Sequence, residues 1–194
     1  MSYRAQPRAA SPVTAWFGFA WGFAEATLFF IVPDVLLGAV ALLAPRAAMR
    51  TLVLTLAGAL IGGAVTYAVA SNVHATRSEA ILDAVPTIRN SAIDRVSREM
   101  RDDGPRSVLY GPLRMGTPYK LYARAAGVQD ESLVAFLLWS IPGRLERMLP
   151  VTLFAVVLGL LGRRWIAACP RTTLVLYGCA WLAVYVVYVI RVGI

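Results

Sequence analysis

The chain has very few of the residues that usually carry catalysis or bind metal ions. Its 194 residues include one histidine, His74, and two cysteines, Cys169 and Cys179. Two cysteines in apolar surroundings are too few for a disulfide framework or a thiolate metal site. The sequence also has no HExxH motif, no phosphate-binding P-loop and no GxSxG motif. We therefore expect neither enzyme activity nor a bound metal or other cofactor.

Lysine is nearly absent too, because Lys120 is the only one among the 19 basic residues. The 11 acidic residues leave a net charge of +8 and a pI of about 10.1. So high a charge suggests nucleic-acid binding, but here the arginines flank long apolar runs. That placement is typical of membrane proteins, whose basic residues concentrate on the cytoplasmic side. We therefore expect no nucleic-acid partner.

Polar residues are too sparse for a soluble domain of this size. The chain is 58% hydrophobic, with a mean hydropathy of +0.63. We predict an all-α, polytopic membrane protein of one domain with a cytoplasmic N-terminus. The expected parts are a polar tail (1–12), a first hairpin and span (13–71), an amphipathic connecting helix (72–107), a second hairpin and span (108–162) and a last span (172–191).

The first apolar run, residues 13–44, is too long for a simple span. A straight helix of this length would reach about 48 Å, against a hydrocarbon core of about 30 Å. The run is either one long tilted helix with a kink at Pro33, or a re-entrant hairpin that enters and leaves on one side. We favour the hairpin, because it puts the basic patches of the tail, of 46–50 and of 163–171 on the same side.

Residues 108–127 are semi-apolar and rich in glycine and proline, which predicts a second broken element before the apolar segment 132–162. The chain then has two opposed re-entrant hairpins and about three transmembrane helices. Residues 13–71 and 108–162 follow the same order, which suggests an inverted repeat. In such repeats the binding site lies near the middle of the membrane, where the broken elements meet.

Two acids, Glu25 and Asp34, lie inside the first apolar run. An acid at the bilayer centre costs roughly 2.5–3.5 kcal/mol, so each needs a partner, water or a function. On an unbroken helix, residues nine positions apart would point in opposite directions. A break at Pro33 removes this constraint and lets both acids face one site.

Four basic residues of the second half are candidate partners: Arg114, Lys120, Arg144 and Arg147. Arg144 and Arg147 are three positions apart on a helix and can point the same way. In one hypothesis the acids and arginines form ion pairs that hold the hairpins together. In the other, the arginines bind a phosphate head group while a carboxylate, which is hard to ionise at membrane depth, accepts and releases a proton.

Short motifs in both halves carry a family resemblance over most of residues 15–150. They are Glu25, Pro33-Asp34 and Gly58 to Tyr67 in the first half, and Pro118-Tyr119-Lys120 through Ala126-Gly127, Phe136, Ser140 and Gly143-Arg144 in the second. With these motifs the chain resembles the DedA-like membrane proteins, the SNARE-associated or VTT-domain family, and most of all its smaller bacterial members. Lys120 stands where the family usually has arginine.

The resemblance implies lipid translocation, with undecaprenyl phosphate or a phospholipid as cargo and a link to the proton gradient. It implies that Glu25 and Asp34 serve the proton step, and that the four basic residues named above bind the head group. It implies a location in the bacterial inner membrane. Membrane lipid and protons are then the expected partners, and a homo-oligomer is left open. Two alternatives also remain: a non-transporting membrane scaffold or assembly factor, and a proton-coupled small-ion transporter.

Overall fold

The computed structural model describes residues 12–28, 31–72, 90–113 and 117–192, and within these ranges every regular element is helical. The all-α prediction is therefore confirmed for this part of the chain. Two helical segments, Pro45–Asn72 and Pro170–Val187, are long and apolar enough to cross a membrane.

Helices of very different length follow one another, separated by short breaks. In chain order they are α1 (Pro12–Thr27), α2 (Asp34–Leu43), α3 (Pro45–Asn72), α4 (Asn90–Asp103), a 3₁₀ helix (Gly104–Leu109), α5 (Tyr110–Leu113), α6 (Tyr119–Val128), α7 (Leu133–Leu161), α8 (Arg163–Ala168) and α9 (Pro170–Val192).

Local sequence signals explain several of the helix starts. α1, α3 and α9 each begin with a proline, which fits the first helical position because its missing N–H has no partner there in any case. α7 begins after Ser132, whose hydroxyl accepts a hydrogen bond from the Ala135 backbone N–H at 3.3 Å. α2 begins directly after Pro33, so the break expected in the first apolar run is present.

Small residues allow α1 and α3 to pack backbone against backbone. A Cβ added at Gly22 would overlap the carbonyl oxygen of Thr55, so only glycine fits this contact. One turn further along α1, the Thr66 hydroxyl donates to the Ala26 carbonyl at 2.9 Å. Because the contacts advance together along both helices, α1 and α3 run in the same direction.

The short helix α2 packs on α3 and α7; it is antiparallel to α3 and parallel to α7. Two buried clusters show the register: Leu37 lies with Leu52 and Met148, and Ala41 lies with Ala48 and Ala155. Moving forward along α2 therefore means moving back along α3 and forward along α7. Since α1 is parallel to α3, α1 and α2 run in opposite directions on either side of the break.

The second short helix, α6, packs on α3 in the same way. Tyr119 lies against Gly63, and Gly127 lies against Tyr67 and Ala70, so α6 and α3 are parallel. After a turn at 129–132 the chain reverses into α7. The short helix of each half thus packs on the long helix of the other half, which brings the start of α6 close to the end of α1.

Two elements differ from their expected form. α3 begins at Pro45 instead of 51, and so includes the basic residues of the preceding turn. α7 is one continuous helix, although Pro142 and Pro150 lie inside it and interruptions were expected there. Each proline removes one backbone hydrogen bond. Along α7, Gly143 packs closely on the 3₁₀ helix and Gly159 packs closely on α2.

The connecting segment 72–107 is described from residue 90 onward, where α4 carries an apolar face that packs against the bundle. Ile93, Val96 and Met100 are buried at the spacing expected for one helical face. Tyr122 donates to the Glu99 carboxylate at 2.9 Å, which ties α4 to α6. The expected single helix does not extend to 107, because the chain tightens into the 3₁₀ helix at Gly104.

Candidate functional site

A buried ion pair joins the first half of the chain to the second. Glu25 of α1 meets Arg144 of α7 with both carboxylate oxygens: Arg144 Nη1 lies 3.3 Å from Oε1, and Nη2 bonds Oε2. Both side chains are 7% exposed. This bidentate geometry is the strongest form of a guanidinium–carboxylate contact, and it uses both oxygens of Glu25 and both terminal nitrogens of Arg144. We call this ion pair the closed pair.

A second ion pair lies one helical turn further along α7. Arg147 Nε lies 2.9 Å from Asp34 Oδ2. Asp34 is the first residue of α2, so its negative charge also meets the positive end of that helix. This pair is asymmetric, because the Asp34 side chain is 3% exposed and that of Arg147 is 40% exposed.

The break between α1 and α2 is what brings the two acids to neighbouring turns of one helix. Arg144 and Arg147 are three positions apart and lie on the same side of α7. Glu25 approaches from α1 and Asp34 from α2, which run in opposite directions. The four charges therefore form one compact group, the charged cluster, made of Glu25, Asp34, Arg144 and Arg147.

Two atoms of the charged cluster have unused hydrogen-bonding capacity. Asp34 Oδ1 and Arg144 Nε are buried and have no hydrogen-bond partner among the described residues. A buried polar atom left in this state costs about 1–3 kcal/mol. Such atoms are uncommon and usually mark a place where water or a ligand binds.

The start of α6 brings two more groups to the charged cluster. Lys120 is buried, and its Nζ donates to the Leu28 carbonyl at the end of α1, at 3.1 Å. The guanidinium carbon of Arg144 lies 4.8 Å from the centre of the Tyr119 ring, a cation–π contact. The Tyr119 hydroxyl donates to Ser140 at 3.0 Å, which fixes the ring.

The last helix, α9, contacts the first break through two tyrosine hydroxyls. The Tyr177 hydroxyl donates to the backbone carbonyls of Asp34 and Val35, at 3.2 and 2.9 Å. The Tyr185 hydroxyl accepts from the Val32 backbone N–H at 3.0 Å. The Tyr185 bond gives a partner to the Val32 N–H, which lies outside α1 and α2, and the Tyr177 bonds tie α9 to the first turn of α2.

Five of the six candidate residues can be placed. Glu25, Asp34, Arg144 and Arg147 lie together, and Lys120 borders the group, whereas Arg114 lies outside the described residues.

Sequence reasoning missed three contributors to the site: Tyr119, Tyr177 and Tyr185. A signal for the first was its position directly after Pro118, at the start of a broken element. A signal for the other two was an aromatic stripe at four-residue spacing, Tyr177, Trp181 and Tyr185, which fits one helical face.

The donor set of the site does not suit a metal ion. No group of three or more histidine, cysteine or acidic residues that could hold a metal occurs in the described ranges. Both acids of the charged cluster are occupied by arginines, whose positive charge would repel a cation.

Comparisons with protein-family models, with curated proteins and with solved structures found no match. The likeness to DedA-like proteins therefore stays a prediction from the motifs quoted above, and the functional argument depends on the site itself.

Proposed function

We propose that the protein is a multi-pass protein of the bacterial inner membrane that translocates an anionic lipid in a proton-linked step. The cargo is undecaprenyl phosphate or a phospholipid, as in the DedA-like proteins that the sequence resembles. The observation that carries the proposal is the asymmetric pair of Asp34 and Arg147, one partner buried and the other open.

Arg147 is suited to receive a phosphate group. Its Nε contacts Asp34, while its terminal nitrogens make no hydrogen bond to the described residues. A guanidinium binds a phosphate through two parallel N–H donors, and its exposure lets an incoming head group reach these donors. Arg144, which is buried and bound to Glu25 through both terminal nitrogens, lacks this freedom.

Asp34 provides the link to protons. A bound phosphate competes with the Asp34 carboxylate for Arg147, and a displaced carboxylate in an apolar setting gains a proton more readily than one in water. Head-group binding thus favours protonation of Asp34, and release of the lipid favours loss of the proton. The unpaired Oδ1 atom gives the carboxyl group a free oxygen for this exchange.

The exposed apolar surface supports a membrane setting. Large apolar side chains cover the outside of three long helices, which a water-soluble protein of this size rarely tolerates. They include Val53, Ile61, Val65 and Val69 on α3, Phe154, Val157, Leu160 and Leu161 on α7, and Val175, Leu176, Leu182 and Val184 on α9. In the proposal these side chains face lipid, and the hairpin of α1 and α2 is re-entrant.

One observation favours a second candidate, a non-transporting membrane scaffold. The Glu25–Arg144 pair is closed and buried, as a purely structural ion pair would be. If the whole charged cluster has only this role, its charges hold the two halves together and move no cargo. Exchanging the charges, with Glu25→Arg and Arg144→Glu, would then restore stability and every cellular function together.

The test is lipid translocation in proteoliposomes. The cargoes are fluorescent phosphatidylglycerol, fluorescent phosphatidylcholine and undecaprenyl phosphate, each assayed separately. Asp34→Asn and Arg147→Gln should each slow the anionic cargo at least about tenfold, the loss expected for one charged hydrogen bond. Arg163→Gln removes an exposed arginine outside the site and is the matched control. Wild-type rates in folded Asp34→Asn and Arg147→Gln proteins would refute the transport role of the pair.

A further inference from the structure

The contact between α9 and the first break is built from specific hydrogen bonds. The Tyr177 hydroxyl bonds the carbonyls of Asp34 and Val35, and the Tyr185 hydroxyl bonds the N–H of Val32. All three backbone groups belong to residues 32–35, which include Asp34, the acid of the open ion pair. Gly38 lies beside them, and a Cβ there would overlap the Tyr177 hydroxyl.

The rest of α9 offers little to hold it in place. Most of its large apolar side chains point outward, and they are Leu174, Val175, Leu176, Leu182, Val184, Val186, Val187 and Ile190. In a membrane these side chains gain no hydrophobic stabilisation from packing on the protein, since lipid tails are equally apolar. The tyrosine hydroxyls therefore supply the directional interactions between α9 and α2.

We propose that Tyr177 and Tyr185 are positioning residues that hold the Asp34 carboxylate against Arg147. The orientation of Asp34 depends on where α2 begins, and the start of α2 depends on the backbone from 32 to 35. The two hydroxyls fix this backbone from outside the hairpin. The inference rests on the proposed function only for its consequence. This consequence is that the contact between α9 and α2 controls whether Arg147 is free to bind a head group.

The two acids of the charged cluster make the inference testable within one molecule. Asp34 belongs to α2, whose first turn contacts α9, whereas Glu25 belongs to α1 and is held by Arg144. Loss of the tyrosine hydroxyls should release Asp34 and leave Glu25 in place. A general loosening of the protein would release both acids alike.

The experiment measures labelling by dicyclohexylcarbodiimide, a membrane-permeant reagent that modifies protonated carboxyl groups in apolar surroundings. Full-length protein in liposomes is treated, and the Glu25 and Asp34 peptides are quantified by mass spectrometry. In the double variant Tyr177→Phe/Tyr185→Phe, Asp34 labelling should rise at least about fivefold, the change expected for loss of about one hydrogen bond. Glu25 labelling should not change.

Tyr67→Phe is the matched control. The Tyr67 hydroxyl also donates to a backbone carbonyl, that of Glu131, but at a distance from the charged cluster. The Tyr67→Phe variant should change the labelling of neither Glu25 nor Asp34. Gly38→Ala is a second route to the same result, because its methyl group pushes the Tyr177 hydroxyl away while both tyrosines remain.

Two results would overturn the inference: unchanged Asp34 labelling in the folded variants, or an equal rise at Glu25 and Asp34. If the double variant does not fold, Gly38→Ala decides by the same criterion. The labelling result does not depend on transport. A selective rise at Asp34, found together with normal lipid translocation by Asp34→Asn, would keep the positioning role and reject the proposed function.

Discussion

Glu25 and Arg144 bind each other through both carboxylate oxygens, although 119 positions separate them in the chain. This pair joins α1 to α7 in the interior, and every other part of the charged cluster is arranged around it. Asp34 and Arg147 repeat the pairing one turn away, in a more open form. The difference between the closed and the open pair divides the expected effects of mutation into stability and function.

We expect Glu25→Gln to destabilise the protein strongly. Removing one partner of a buried ion pair leaves the other charge unpaired, which costs about 3–5 kcal/mol. Asp34→Asn should cost clearly less, because Arg147 is exposed and can be solvated. Thermal unfolding of both variants in detergent compares the two effects. An Asp34→Asn protein as unstable as the Glu25→Gln protein would contradict the distinction between a closed and an open pair.

The two native cysteines report whether α9 lies in a membrane. Cys169 precedes α9 directly and Cys179 lies inside it, and both are exposed on the protein surface. In inside-out membrane vesicles, which expose the predicted cytoplasmic side, a membrane-impermeant maleimide should therefore label Cys169 and leave Cys179 unlabelled, because lipid covers the middle of the helix. Denaturation in detergent should make both reactive. Equal labelling of the two cysteines in intact membranes would argue against a spanning α9.

Gly22→Ala should disrupt the packing of α1 on α3. The added Cβ would overlap the backbone oxygen of Thr55, which cannot move aside as a flexible side chain can. We expect a loss of about 1–3 kcal/mol or more. Gly178→Ala is the matched control, because nothing lies within 4 Å of its added Cβ, and alanine favours the helix there. Melting temperatures in detergent should fall for the first variant alone.

Arg147→Lys should distinguish the effect of the positive charge from the effect of the planar guanidinium group. Lysine keeps the positive charge but lacks the planar pair of donors that matches a phosphate. We expect the anionic-lipid rate to fall about tenfold with little change in melting temperature, since a bidentate charged contact exceeds a single one by about 1.5 kcal/mol. Arg163→Lys, outside the site, should change neither quantity. A full rate in Arg147→Lys would mean that charge alone is sufficient.

Much of the helical organisation could be predicted because it depends on local chemistry. A long apolar run without charge, such as most of α3, has the length of a membrane-spanning helix, which pairs all of its own backbone groups. Pro33 and Pro118 stand directly before α2 and α6, where a residue that cannot continue a preceding helix marks the start of a new one. The two acids inside an apolar run pointed to a polar site for the same local reason, the high cost of an unpaired charge in an apolar medium.

Other features depended on packing between distant segments. The spacing of Arg144 and Arg147 allowed either arginine to meet either acid, and the packing of α1 and α2 against α7 made the choice. The prolines inside α7 were expected to interrupt it, yet the helix is continuous through both.

By itself, then, the sequence determined most of the helices, the break before α2 and the presence of buried opposite charges, since each follows from residues a few positions apart. Only the tertiary structure decided that one ion pair is closed and the other open, and that Tyr177 and Tyr185 reach the break beside Asp34. Burial and hydrogen bonding between α9 and α2 depend on where two segments that are remote in the sequence meet, and no local sequence pattern specifies that contact.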